Sequence, residues 1–356
     1  LFLFNFSKMK VCFVNLASGY SGGENQTFFL ADQLLKNKIE VIAVTNPKSL
    51  LTRKLESIGI KTVCSNHPLR GHLSPLLRNV DVVHAHDGRA VHWASIHKTL
   101  FKTPFIVTRR IDNLIRENSF THWSYAQADQ LVGISSKICT VLSNFVSHKS
   151  KIELIPSSPI SYDLKQEIID REKNKYLGRF IVVQAASLLE HKGFDTSIKA
   201  AKLLKDQNII FLFLGEGPYR NHLMKLAEGL SNVLFLGKQN DMGNWFKIAD
   251  CIILPSKNEG LGSVLLESML AGTPVIASNT GGIPDIVKDR KTGLLISPND
   301  EKQLASAIQE LSKNNQLKSE LVNNAKEFIK PFYIENTSKK YLHIYKRILD
   351  TSSYDV

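Results

Sequence analysis

DCIILPSKNEGLGSVLLESMLAGTPVIASNTGGIPD, residues 250 to 285, holds two apolar runs with two glutamates and three glycines between them. DCIILPS (250–256) and TPVIAS (273–278) are continuous rather than alternating, which marks strands covered on both faces. Glu259 and Glu267 stand eight positions apart across Gly260 and Gly262. On one helix that spacing would leave them roughly 80° apart and ~12 Å along the axis. Glycine at 260 and 262 argues against a helix that begins so early. The stretch therefore predicts a strand, a loop at its carboxyl end carrying Glu259, a helix opening near Gly262 and Ser263 with Glu267 one turn in, and a second strand. A helix start between two carboxylates aims free N–H groups at an anion such as a diphosphate. The carboxylates on either side suit two hydroxyl-bearing partners, a sugar and a ribose.

The same strand–helix alternation runs through the chain. In the first half the runs are KVCFVNL (10–16), EVIAVT (40–45), DVVHAH (81–86), PFIVT (104–108), QLVGIS (130–135) and KIELIP (151–156). In the second half they are FIVVQAAS (180–187), IIFLFLG (209–215), NVLFLG (232–237), DCIILPS, TPVIAS and GLLIS (293–297). Helical patterns such as ENQTFFLADQLLKN lie between them, so each half predicts a doubly wound parallel sheet. Two α/β, Rossmann-like domains facing across a cleft are expected, over residues 1–158 and 179–330. The charged segment 159–178 reads as a linker. Residues 331–356 read as a C-terminal helix that packs back toward the N-terminal domain.

The composition, 43% hydrophobic and 22% charged, is that of a soluble globular protein. No apolar run reaches the ~18 residues of a membrane-spanning helix. The start, LFLFNFSK, lacks a cationic region and a cleavage site and reads as an extension rather than a signal peptide. Cys12, Cys64, Cys139 and Cys251 form no CxxC pair, which favours thiols in a reducing cytoplasm. The net charge of +12 is uneven: residues 1–158 hold 19 Lys+Arg against 10 Asp+Glu, the remainder 26 against 23. The basic half favours an anionic partner, either phosphates or an acidic membrane surface. No aromatic–basic signature accompanies the charge, so nucleic acid is not expected. Loop NHPLRGHLSPLLRN (66–79) mixes Leu69, Leu73, Leu76 and Leu77 with Arg70 and Arg78, as an interfacial segment would.

Other nucleotide-binding motifs fail. The first strand is followed by SGYSGGEN, whose Gly19, Gly22 and Gly23 have the wrong spacing for a dinucleotide fingerprint, and the second strand ends without an acidic residue. No G-x-x-x-x-G-K-[ST] is present. What remains is a different pyrophosphate site. Gly22 and Gly23 precede a helix expected to open at Glu24, and EHKG (190–193) follows FIVVQAAS with Lys192 placed to meet a phosphate. Tight strand–helix packing is the alternative for each glycine turn. His84 and His86 share a strand face and Asp87 follows, but no distant ligand set and no Asp-x-Asp accompany them, so no metal is expected. Arg109 and Arg110, in TRRID, end another strand; they would grip an acceptor phosphate or sugar acid, or form a solvated loop.

Glu259 and Glu267 with seven residues between them, followed by GTPVIAS, GGIPDIV and TGLLISPND, resemble the retaining glycosyltransferases of family 4, which have the GT-B fold. EHKGFDTSIKAA, LGEGPYRNHL and the N-terminal GG-E also match, from about Lys10 to Leu311. The resemblance implies that residues 1–158 form the acceptor-binding domain and 179–330 the nucleotide-sugar-binding domain, with Glu259 contacting the donor sugar and Glu267 the ribose. Lys192 would neutralise the diphosphate, with Gly260, Leu261, Gly262, Ser263 and Val264 completing the donor loop. Gly215 and Gly217, in the GEGP turn, would border the nucleoside. His86 resembles the active-site histidine, ahead of His84, and Gly22 and Gly23 would face donor phosphates or acceptor. One departure stands out: many members carry an arginine five positions before the lysine, and position 187 here is serine. The expectation is a cytoplasmic, metal-independent retaining glycosyltransferase that needs no cofactor beyond its nucleoside-diphosphate sugar. It would act on a saccharide or lipid-linked acceptor of envelope glycan synthesis, such as lipopolysaccharide or capsule, in peripheral contact with the inner face of the membrane. The alternatives are a sugar-nucleotide epimerase of the same fold and a non-catalytic nucleotide-sugar-binding protein.

Overall fold

The computed structural model describes residues 9–147 and 151–352. The segment LFLFNFSK lies outside the described residues. The chain divides into two compact units, Leu1–Ser158 with Phe332–Val356, and Pro159–Pro331.

The first unit alternates β1 (Lys10–Asn15), α1 (Gly22–Lys36), β2 (Glu40–Thr45), α2 (Leu50–Ser57), β3 (Lys61–Cys64), β4 (Val82–Ala85), α3 (Gly88–Phe101), β5 (Phe105–Arg109), α4 (Ser119–Ala126), β6 (Gln130–Gly133), α5 (Ser136–Phe145) and β7 (Ile152–Leu154). Among the described residues its strands form one seven-stranded sheet in the order β3-β2-β1-β4-β5-β6-β7. All six pairings are parallel. Six strands were expected. The additional one, β3, is a four-residue edge strand whose side chains are exposed or half-buried, so it carries no continuous apolar run.

The second unit runs α6 (Gln166–Asn174), β8 (Phe180–Ala185), α7 (Phe194–Leu203), β9 (Ile209–Leu214), α8 (Arg220–Leu226), β10 (Val233–Gly237), α9 (Met242–Ile248), β11 (Cys251–Leu254), α10 (Ser263–Leu270), β12 (Val275–Ser278), α11 (Ile283–Ile286), β13 (Leu294–Ile296), α12 (Glu301–Lys313) and α13 (Asn315–Phe328). Its sheet has the order β10-β9-β8-β11-β12-β13. The order reverses between β1 and β4 in one sheet and between β8 and β11 in the other. In open α/β sheets ligands bind at such switch points, outside the carboxyl ends of the strands.

Residues 159–178, expected as a linker, are part of the second unit. Ile169 of α6 is buried, and the Lys165 backbone amide donates to Asn244 Oδ1 at 2.9 Å, which ties the segment to α9. The last helix, α14 (Ile334–Ser352), belongs to the first unit. Its Tyr341, Ile344, Tyr345 and Ile348 are buried in one cluster with Phe13, Leu30, Leu34 and Val82. Each such side chain contributes ~1.5–3 kcal/mol by leaving water, enough to hold the helix in place. The helix α1 opens at Gly22, two residues earlier than expected. The Glu24 carboxylate accepts from the Ser21 backbone N–H at 2.8 Å and the Ser21 hydroxyl at 2.7 Å, and this local bonding draws both glycines into the first turn.

Among the described residues no helix is long and apolar enough to cross a membrane.

Candidate functional site

In the second unit the loops after β8 and β11 leave the sheet side by side and are locked backbone to backbone. Gly193 sits at φ +70°, a conformation that L side chains rarely adopt, and a Cβ there would lie 1.9 Å from the Pro255 carbonyl oxygen. The Lys257 amide donates to the His191 carbonyl at 2.8 Å, and its ammonium pairs with Glu190 at 3.4 Å and Asp195 at 3.3 Å. From the strand side, Gln184 Nε2 donates to the Lys192 carbonyl at 2.8 Å, while Gln184 Oε1 accepts from the Ser197 hydroxyl at 2.6 Å. The loops thereby bring Lys192 Nζ to 2.7 Å from Glu259 Oε2, which also accepts from the Ser256 hydroxyl at 3.2 Å. A cation and a carboxylate 67 positions apart meet at the switch point.

The helix α10 opens at Ser263 with Gly262 as its left-handed cap, at φ +82°. As first-turn amides, Ser263 and Val264 have no partner one turn back, which leaves the positive end of the helix beside Glu259. One turn on, Glu267 is buried, with 8% of its surface exposed, and its Oε2 accepts from the Tyr162 hydroxyl at 2.8 Å. Burial raises the Glu267 carboxyl to about 7, against the lowering effect of the Tyr162 hydrogen bond. A pocket of about 220 Å³ opens here, lined by Gly215, Lys238, Met242, Phe246, Val264 and Glu267 among others. The GEGP turn is anchored next to it, the Leu188 amide donating to the Glu216 carbonyl at 3.0 Å.

In the first unit His86 follows β4 and is 4% exposed, yet neither ring nitrogen has a hydrogen-bond partner among the described residues. Its ring lies 3.9 Å from that of His84 and 4.6 Å from Phe13, centroid to centroid. His84, fully buried, is bonded on both sides, to the Tyr345 hydroxyl and to Thr108 Oγ1, each at 2.8 Å. Burial holds His86 well below the ordinary histidine range, helped by His84 and the Arg110 charge, so at neutral pH the ring is uncharged. Asp87 caps α3 through the amides of Arg89 and Ala90, and accepts from the Leu16 amide, which joins the loop after β1 to the loop after β4.

Arg109 and Arg110 part company. Arg109 is buried and donates to the Tyr125 hydroxyl at 3.3 Å and to the Asn113 carbonyl, which fixes the loop after β5 from within. Arg110 runs past Gly23, its Cδ 3.4 Å from where a Cβ would stand, and donates to Ser157 Oγ at 3.3 Å. Its Nε is buried without a partner, and no carboxylate pairs with the guanidinium among the described residues. The residues proposed from the sequence thus form two groups. Lys192, Gly215, Gly217 and residues 259–264 with Glu267 gather in the second unit; His86, Arg110, Gly22 and Gly23 gather in the first, with Arg109 turned inside. Sequence reasoning missed Tyr162, Ser256, Lys257 and Lys238. Ser256 and Lys257 flank the glutamate loop, and Lys238 follows the run NVLFLG, so their position at strand ends was the available signal. No group of three or more His, Cys, Asp or Glu is placed to hold a metal ion among the described residues.

Residues 165–328 match the family model for glycosyl transferases group 1. The uncharacterized glycosyltransferase MJ1178 of Methanocaldococcus jannaschii is 27% identical over 282 residues, 76% of each chain. The lipopolysaccharide core biosynthesis glycosyltransferase LpsE of Rhizobium meliloti is 31% identical over 168 residues, 46% of this chain and 49% of its own. Among solved structures, Anabaena HepE in complex with UDP superposes with a TM-score of 0.84 at 19% identity, over 95% of this chain and 100% of that one. HepE has also been solved with UDP-glucose. The fold is GT-B, and these matches support a glycosyltransferase.

Proposed function

We propose that this protein is a retaining, metal-independent glycosyltransferase, similar to family 4, that moves a sugar from a nucleoside diphosphate to a saccharide or lipid-linked acceptor of the cell envelope. The observation that carries the reading is the Lys192–Glu259 pair beside the start of α10. Lys192 and the first amides of α10 suit a departing diphosphate, where charge builds up in the transition state. Glu259, fixed by Lys192 and Ser256, suits the hydroxyls of the transferred sugar. Glu267, one turn further along α10 and lining the pocket, suits the ribose. Position 187 is serine, so a second cation must come from elsewhere, and Lys238 lines the same pocket. HepE was solved with UDP and with UDP-glucose, which supports a uridine donor as the first to try. The LpsE match supports an envelope glycan such as lipopolysaccharide as the acceptor class.

On the first domain, His86 stands as the active-site histidine that the resemblance implies, and Arg110 with the α1 amides of Gly22 and Gly23 suits an anionic group on the acceptor. An epimerase would need no acceptor-binding cation. A panel of sugar nucleotides with envelope saccharide acceptors tests the reading. One donor is expected to raise the melting temperature and to transfer its sugar with retained anomeric configuration. Transfer is expected to proceed undiminished in EDTA, because lysine and helix amides replace a divalent ion. Inversion, or loss of activity on chelation that Mg²⁺ restores, sinks the mechanism.

We place the enzyme in the cytoplasm, with its first domain touching the anionic inner face of the membrane. In loop 66–79, Leu69 and Leu73 are 67% and 86% exposed beside exposed Arg70 and Arg78, whereas Leu77 is buried in the domain. The loop is held in shape by Trp93, whose Nε1 donates to the Arg70 carbonyl at 2.8 Å. Each basic residue near an anionic leaflet contributes ~1 kcal/mol, so attachment is reversible and weakened by salt. In liposome flotation, binding to anionic vesicles at low salt is expected, fading at high salt, and Arg70→Glu with Arg78→Glu should weaken it. Equal binding to neutral vesicles, or none to anionic ones, removes the membrane from the proposal.

A further inference from the structure

We infer that Tyr162 is a positioning residue for nucleotide binding, acting through Glu267 to hold its carboxylate in the orientation and charge that a ribose diol needs. The inference rests on the reading of Glu267 as the ribose ligand. Tyr162 lies in Pro159–Leu164, the segment that begins the second unit and was expected to be a mere connector. Three contacts give it a fixed place. Its hydroxyl reaches Glu267 Oε2 at 2.8 Å. Its ring stands edge-on to Phe246 with centroids 5.9 Å apart. Its Cβ fills the space above Gly243, where any added side chain would meet it at 2.3 Å. The next turn is tied to α9 through Lys165 and Asn244. A tyrosine wedged this way presents its hydroxyl with little freedom left to lose.

The chemistry follows from what Glu267 lacks. A carboxylate buried at the pocket wall is costly to ionise unless a donor satisfies it. With Oε2 occupied by the Tyr162 hydroxyl, Oε1 is the oxygen left to accept from a ligand. The surrounding charges do not perform this task. Lys238 lines the same pocket from the loop after β10. Lys247 of α9 donates to the Ala271 carbonyl, and Lys326 of α13 lies against Gly272, both at the far end of α10. The remaining neighbours on β11 and β12, CIIL and VIAS, carry no charged group. Among the described residues Tyr162 alone bonds the carboxylate, and its bond favours the ionised form, against the burial that raises the carboxyl to about 7. Nucleotide that needs an ionised Glu267 therefore binds more weakly as pH falls through about 7.

Tyr162→Phe keeps the ring, its wedge and its packing, and removes only the hydroxyl. Titrating UDP, GDP and ADP into the full-length protein on both sides of pH 7 by calorimetry identifies the base that binds, and that nucleotide is then the probe. In Y162F the pH at which affinity falls off is expected to move up by about one unit, which at pH 7 reads as about 5-fold weaker binding and approaches about 10-fold at lower pH. The donor KM should rise in parallel, while kcat at saturating donor changes less than about 2-fold. On a Glu267→Gln background, Y162F should add nothing, because its target no longer ionises. An unshifted pH profile in Y162F, or a loss additive with E267Q, overturns the role of Tyr162. Normal nucleotide binding by E267Q itself would instead overturn the reading of the ribose site.

Discussion

Lys192→Ala is expected to lower turnover at least ~10²-fold, because Lys192 is the cation that the loops after β8 and β11 present beside α10. A charge-assisted contact that strengthens as the diphosphate leaves is worth ~2–4 kcal/mol in the transition state. Serine at position 187 concentrates that requirement on one side chain. The ammonium is matched to Glu259 at 2.7 Å, the two side chains only 20% and 12% exposed. Removing it also strands a half-buried carboxylate with the Ser256 hydroxyl alone, at a cost of ~1–3 kcal/mol. The two effects separate by measurement. Loss of folding stability shows as a lower melting temperature and vanishes from rates taken well below it. Loss of leaving-group stabilisation persists there and falls on kcat. Lys192→Arg, which keeps the charge but not the shape, should recover part of the rate. Near-normal turnover by K192A would mean that the diphosphate is bound elsewhere.

The sequence made legible whatever depends on neighbours in the chain. The unit β11–α10–β12 is continuous, and Gly262 stops a helix from starting before Ser263, so Glu259 was confined to a loop and Glu267 to a helix. Strands covered on both faces leave unbroken runs, and every strand of the second sheet was readable for that reason. The edge strand β3 has no such run and was missed. Contacts across long separations left no trace in spacing. Tyr162 and Glu267 are 105 positions apart, and a segment of mixed polar and charged residues gave no reason to expect either burial or function. His84 and His86 were read as sharing a strand face, but nothing local could show that Tyr345, 261 positions on, occupies one and leaves the other without a partner. Side chains at loop tips were equally opaque. Leu73 and Leu77 sit in the same run, and only the packing of the domain exposes the first and buries the second. Arg109 and Arg110 differ in the same way, one closing its own loop and one lying past Gly23 without a carboxylate partner.

Gly281→Ala should disable the enzyme and unsettle its second domain together, although residue 281 offers no side chain to any ligand. The glycine pair of the stretch 250–285 packs on the glutamate loop. A Cβ on Gly281 would stand 1.8 Å from the Glu259 carbonyl oxygen, 2.8 Å from its carbon and 3.1 Å from its nitrogen. All three atoms are backbone, so no rotamer change relieves the overlap. The residue also holds φ +57°, which costs alanine ~1 kcal/mol before any clash. The loop must shift, and with it goes the bond from the Gly282 amide to the Glu259 carbonyl, 2.9 Å long. Together these place the destabilisation at roughly 3–5 kcal/mol, in the range of overpacked backbone contacts, which lowers the melting temperature by about 10 °C. A displacement of ~1 Å in Glu259 breaks its register with Lys192 and costs at least ~10²-fold in turnover, measured well below the transition. Gly88→Ala is the matched control, since a Cβ there meets nothing within 4 Å and the position lies in the first turn of α3. It should melt and turn over like the parent. If G281A does the same, the glycine pair does not hold the glutamate loop, and Glu259 owes its position to Lys192 and Ser256 alone.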